Sequence, residues 1–284
     1  MTPAVRLGAH AAPPAQHAQR RPHVPETTSS TVISCTSTKM NLGLADTLRW
    51  LDTVILPLAD KLAALSFFAC LPHPLLIPAR DRMDGSGVTV GAQDVWPRGG
   101  AVTGAVSPAL LAEIGCTHVM VGHAERRRVF QEDDDLVARK ASATAQAGMT
   151  PLICVGETHP QSPVTAAEYV VAQADAALKS VRADQPALVL YEPVWAIGGD
   201  EAADPDHAGH VLRALRAATA DQDVRFLYGG AVTPGTYTRL RQTADWDGVA
   251  LGRVAQDPGV LAETTAELLD DAETRAQHRN PWPH

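Results

Sequence analysis

The 284 residues predict an α/β fold of eight short parallel strands, each followed by helix, closed as a barrel or laid out as a doubly wound sheet. Three observations predict it. Brief apolar runs recur along the chain, separated by stretches with helical period. The runs are continuously apolar rather than alternating, as strands covered on both faces require. Between two tails of different composition, residues 31–271 have the length of one large domain.

In chain order the first strand run is T-V-I-S-C-T (31–36), and an amphipathic stretch follows over 43–58. Next come L-S-F-F-A-C (65–70), V-T-V-G-A (88–92) and T-H-V-M-V (117–121). The run T-P-L-I-C-V (150–155) precedes a clear helical pattern over 165–182. A-L-V-L-Y (187–191) precedes an Ala-rich helix over 206–220. V-R-F-L-Y (224–228) and G-V-A-L (248–251) complete the set, with a last helix over 257–270. No internal repeat points to a solenoid or propeller. Residues 1–30 hold Pro, Ala and His, with Arg6, Arg20 and Arg21 against a single acid, Glu26. They read as a disordered tail; an Arg-rich, acid-poor transit segment is the alternative. Residues 272–284 read as a C-terminal tail.

Hydrophobic residues make up 45% of the chain, enough for a sizeable core. The net charge of -8, without a basic stripe, argues against a nucleic-acid partner. No apolar run is long enough to span a membrane. Cys35, Cys70, Cys116 and Cys154 form no C-x-x-C pair, and three lie in strand runs. They read as buried reduced thiols, which suits a cytoplasmic protein. His207 and His210 share a helix face but lack a third ligand, so no metal is expected.

In a barrel, functional groups gather at the C-terminal ends of the strands. The first run exits into S-T-K-M-N, with Lys39 just past it; the fourth exits into V-G-H-A-E-R-R, with His123 and Glu125 at a helix start. The sixth exits into Y-E-P-V-W-A-I-G-G, which places Glu192, and the seventh and eighth exit into Y-G-G-A-V and A-L-G-R-V. One ammonium, one imidazole, carboxylates and Gly-containing turns suit proton abstraction beside a carbonyl, with an anion held by backbone N–H groups.

The strings G-A-Q-D, G-A-V-T-G-A-V-S-P, V-G-H-A-E-R-R, C-V-G-E-T, Y-E-P-V-W-A-I-G, L-Y-G-G-A-V and D-G-V-A-L-G, in this order, resemble the motifs of the triosephosphate isomerase family over about residues 31 to 270. The resemblance implies a single-domain (β/α)8 TIM barrel and an aldose–ketose isomerase of a small phosphorylated sugar, serving glycolysis and gluconeogenesis, with no cofactor. Glu192 is then the base, His123 a neutral imidazole that polarises the carbonyl, and Lys39 the charge that stabilises the enediolate. Glu125 is a nearby carboxylate, and residues 193–203 are a lid. Ser37, Gly198, Ala231, Gly252 and Arg253 border the substrate and its phosphate. The resemblance also implies a homodimer in which Thr103 supports the partner copy's catalytic lysine.

The chain departs from the family pattern at several positions. Ser37 stands where Asn is usual, Ala124 and Ala231 where Ser is usual, and the lid tip reads Gly199, Asp200, Glu201, Ala202, Ala203. The glycine pair of the eighth loop reads Gly252-Arg253: a side chain there either breaks the phosphate site or adds a charge to it. Ala105 replaces an acid that normally pairs with an Arg across the dimer, which leaves Arg126 or its neighbours expected to lack that partner. Ser37 and Arg253 together resemble the branch that isomerises four-carbon tetrulose phosphates. A non-catalytic phosphate-binding paralogue is the reading from another class.

Overall fold

The computed structural model describes residues 32–199 and 201–279. The expected N-terminal tail, Asp200 of the lid tip and residues 280–284 lie outside the described residues. Eight strands form: β1 (Ile33–Ser37), β2 (Phe68–Leu71), β3 (Thr89–Ala92), β4 (His118–Val121), β5 (Thr150–Val155), β6 (Ala187–Tyr191), β7 (Val224–Tyr228) and β8 (Gly248–Leu251). Each pairs in parallel with its neighbour in sequence, and β8 pairs in parallel with β1, Ile33 opposite Gly248. That last pairing decides for a closed barrel over an open sheet.

Among the described residues, ten α-helices surround it: α1 (Leu44–Trp50), α2 (Ala59–Ala64), α3 (Leu76–Arg82), α4 (Pro108–Glu113), α5 (Ala124–Phe130), α6 (Asp134–Gln146), α7 (Pro163–Leu178), α8 (Pro205–Ala218), α9 (Thr236–Arg241) and α10 (Pro258–Arg279). Starts are set by local chemistry. Ser162 and Asp204 accept amide hydrogen bonds as N-caps of α7 and α8, and Pro163 and Pro205 follow as first helical residues. The stretch expected over 43–58 is helical to Ala64, but irregular: a π-turn (Leu51–Ile55) and a 3-10 turn (Leu56–Leu58) join α1 to α2. Pro57 has no N–H to give the ladder and crowds the carbonyl four residues back, which accounts for the break. The C-terminal tail expected from residue 272 is instead helix as far as Arg279. Arg275 holds it: its Nε donates to Asp271 at 2.6 Å, and its Nη2 donates to the Tyr237 hydroxyl at 2.6 Å and to the Trp246 carbonyl.

Side chains alternate across each strand. Ile33, Cys35, Phe68, Cys70, Met120, Cys154, Leu188, Leu190 and Leu227 fill the barrel lumen, while the larger core lies between sheet and helices. All four cysteines are free and buried. The same alternation sets the barrel mouth. Ile33 and Cys35 put Ser37 on the lumen face at the end of β1, and Leu188 and Leu190 put Glu192 there beyond β6. Tyr191 pairs with Tyr228, so the next residue of β7, Gly229, lies beside Glu192. No helix is long and apolar enough to cross a membrane, among the described residues.

Candidate active site

A cavity of about 650 Å³ opens at the C-terminal mouth. Ser37, Lys39, His123, Glu125, Glu192, Gly198, Ala231, Gly252 and Arg253 all border it, so the fold brings nine of the ten expected site residues together. The tenth, Thr103, is exposed on a turn and does not border the cavity of its own chain.

Lys39 has φ 50, a left-handed conformation that non-glycine residues adopt at a cost. Gln93 offsets that cost: its side-chain amide reaches the Lys39 carbonyl at 3.0 Å, the Cys70 carbonyl at 3.1 Å and Ser37 Oγ at 3.2 Å. The Lys39 amide donates to the same Oγ at 3.3 Å. The turn aims Lys39 Nζ at Glu125 Oε1, 2.7 Å away, with His123 Nε2 at 3.4 Å. Burial pushes the Glu125 carboxyl up, but the hydrogen bond and charge of Lys39, with His123 and Arg128, outweigh it and hold the group below the usual carboxylate range.

His123 is 6% exposed and caps α5. Its Nδ1 accepts the Glu125 amide at 3.2 Å, so Nε2 is the ring nitrogen left to carry a proton. Nε2 lies 3.5 Å from Glu192 Oε2, a buried atom with no hydrogen-bond partner among the described residues. On the far side of the cavity, Gly198 (φ 77) and Gly230 (φ 110) turn the chain in conformations that suit glycine. Arg253 has no such demand. It opens a short 3-10 turn (Arg253–Gln256), is absent from the positive-φ residues, and its Nη2 donates to the Gly198 carbonyl at 3.1 Å. The backbone therefore tolerates this arginine, and the arginine ties the β8 loop to the segment expected to act as a lid.

Arg126 is engaged within its own chain. Its guanidinium lies 2.9 Å from Asp94 and 2.6 Å from Glu132, and stacks over the Phe130 ring at 4.4 Å. Both carboxylates also bind buried Lys140, at 2.5 and 2.6 Å. The acid missing at Ala105 is supplied from Arg126's own chain. Sequence reasoning assigned no role to Gln93, Glu157 or Tyr228, although each stands in a quoted motif. Tyr228 accepts the Ala203 amide at 2.8 Å and so anchors the end of the loop that follows β6. Among the described residues, no group of three His, Cys, Asp or Glu is placed to hold a metal ion.

The family model for triosephosphate isomerase matches residues 32–267. The triosephosphate isomerase of Roseiflexus sp. (strain RS-1) is 45% identical over 195 residues, covering 64% of this chain and 76% of the relative. That of Alkalilimnicola ehrlichii is 42% identical over 212 residues, 71% of this chain and 85% of the relative. The L-erythrulose-1-phosphate isomerase of Pectobacterium atrosepticum is 39% identical over 251 residues, 84% of this chain and 94% of the relative.

Proposed function

Since the chain belongs to the triosephosphate isomerase family, we propose that this sugar-phosphate isomerase interconverts glyceraldehyde 3-phosphate and dihydroxyacetone phosphate through an enediolate. One observation carries the reading: the Oε2 of Glu192, without a hydrogen-bond partner among the described residues, and the Nε2 of His123, 3.5 Å apart, face one cavity beside the Lys39 ammonium.

In this reading Glu192 takes a proton from the carbon beside the carbonyl and returns it to the neighbouring carbon. His123 donates from Nε2 to the carbonyl oxygen and moves the proton between the two oxygens. Lys39 stabilises the negative charge that develops on those oxygens. Glu125 holds the ammonium in place, and its low carboxyl keeps it a carboxylate while it does so. Backbone amides around Gly198, Ala231 and Gly252 receive the phosphate, and Arg253 adds a charged donor. Residues 193–203 close over the substrate and exclude water.

A second reading rests on Ser37. Its hydroxyl is already engaged by Gln93 and the Lys39 amide, and its side chain is shorter than the usual Asn, which leaves room near the reacting carbons. That room suits a tetrulose phosphate, and the L-erythrulose-1-phosphate isomerase relative aligns over 84% of this chain.

We assign the protein as a homodimer in the cytoplasm. Met40 is 92% exposed and Phe130 63% exposed beside a second cavity that Lys39, Val102 and Ala105 also line, a shape suited to a loop bearing Thr103 from another copy. Four free buried thiols suit a reducing compartment.

The deciding experiment is turnover on dihydroxyacetone phosphate and on an erythrulose phosphate, side by side. Efficient triose turnover supports the first reading. Turnover confined to the four-carbon substrate supports the second, and turnover of neither overturns both.

A further inference from the structure

Glu157, on the loop after β5, is 1% exposed. Three elements meet at its Oε1. The Tyr191 hydroxyl at the end of β6 donates at 3.2 Å, and the Trp195 indole N–H, in the first turn of the lid, donates at 2.8 Å. His207 Nε2, in the first turn of α8, stands 3.4 Å away without a formed hydrogen bond. Oε2 has no hydrogen-bond partner among the described residues. The His207 side chain is 11% exposed, and its ring meets the Trp195 ring edge-on, centroids 6.3 Å apart at 84°.

A carboxylate taken out of water is costly unless a cation faces it. Tyr191 and Trp195 are neutral donors, and burial keeps the Tyr191 and Tyr228 hydroxyls protonated by pushing both up, Tyr228 to about 12. Asp204, the remaining acid of this corner, spends Oδ1 on the amides of Asp206 and His207. Among the described residues, the imidazole of His207 is the group that forms an ion-pair contact with Glu157. Trp195 and His207 also flank the two ends of the lid, so one buried carboxylate touches both.

We propose that His207 is the proton-dependent counter-ion of Glu157, and through it a positioning residue for the lid. The imidazolium holds Glu157 on the Trp195 indole and so fixes the hinge; loss of the proton removes the charge and slackens it. This rests on the reading of residues 193–203 as the lid of an isomerase. Histidine is the side chain suited to such a change between about pH 5 and about pH 8.

The test is NMR of the full-length 15N-labelled protein across that pH range, following the His207 ring nitrogens and the Trp195 indole N–H, assigned with His207→Gln and Trp195→Phe. The expected result is an indole resonance that titrates together with the His207 ring. His207→Gln flattens it, and His207→Lys, a cation throughout, holds it at its low-pH position. In the same variants, the ratio of KM to that of the wild type is expected to change with pH by at least roughly threefold while kcat moves less, a small share of what breaking a buried ion pair costs. A flat indole resonance in the wild type, or a titration that survives in His207→Gln, overturns the proposal even if the enzyme turns over. A titrating indole with KM and kcat matching the wild type at every pH in both variants overturns the positioning role. Absence of isomerase turnover in the wild type overturns the underlying reading instead, and leaves the NMR result to decide the ion pair.

Discussion

Replacing Gly229 by Ala perturbs the proposed base without touching it chemically. A methyl group built at Gly229 stands 2.5 Å from Glu192 Cγ, 2.9 Å from its Oε1 and 3.0 Å from Leu190 Cδ1. Carbon atoms settle at about 3.5 Å or more, so the Glu192 side chain must retreat by about 1 Å. The backbone of Glu192 cannot retreat with it, because its carbonyl is pressed against Gly156 on the β5 side. A misplacement of about 1 Å costs about 100-fold in turnover, or about 2.7 kcal/mol of barrier. The variant should keep its fold, since the atoms that give way belong to a side chain at the barrel mouth. We expect kcat to fall about 100-fold with KM nearly unchanged, read in a coupled isomerase assay, and a urea midpoint close to that of the wild type. A shorter side chain relieves the clash, so Gly229→Ala placed on Glu192→Asp should cost far less than it does alone. A kcat within about threefold of the wild type, or full additivity in that cycle, refutes the placement of Glu192 as base.

Further outcomes follow from other parts of the molecule. Glu192→Asp alone should lower kcat by orders of magnitude with substrate binding largely retained, and unaltered turnover would count against the mechanism. Arg253→Ala should raise KM about tenfold with kcat retained, the loss of one charge-assisted hydrogen bond to phosphate; an unchanged KM would return the phosphate to backbone amides alone. Lys140→Met leaves buried Glu132 and half-buried Asp94 with Arg126 as their remaining cation, and should lower stability to urea by about 3 kcal/mol. His118, stacked on Phe68 at 3.7 Å, has its imidazole pushed down to about 3 by burial. Its folded pKa lies below its unfolded one, so its contribution is present above about pH 6.5 and is lost as pH falls toward 3. Between about pH 6.5 and about pH 4.5 the wild type should lose roughly 2 kcal/mol more than His118→Gln, and parallel curves would show the ring to be solvated.

The strands were legible because each is a short, continuously apolar run, and their starts and ends fall within three residues of those expected. Closure was not, because the pairing of Ile33 with Gly248 joins the two ends of the chain and leaves no mark on local periodicity. The α1 region and α10 were misjudged for opposite reasons. Pro57 disturbs a helix that the apolar pattern carries through, and Arg275 extends one whose last turns look polar throughout. At the barrel mouth, Lys39, His123 and Glu192 were expected together because each follows a strand, and all three border one cavity. Gln93 escaped because its work is done through backbone carbonyls, which sequence does not show. The pairing of Arg126 with Asp94 went unread because the two stand thirty-two positions apart in the chain and 2.9 Å apart in space.

The cluster of Asp94, Arg126, Glu132 and Lys140 has a consequence for inheritance. Two acids and two bases balance within a single polypeptide, so charge neutrality is complete before any second copy arrives. A surface that meets another copy is then freed from matching it ion for ion. Substitutions along the loop around Ala105 can accumulate one at a time, each judged by shape alone, without a compensating change across a seam. In lineages that carry this self-contained arrangement, sequence in that loop should drift while the four charged positions stay locked together.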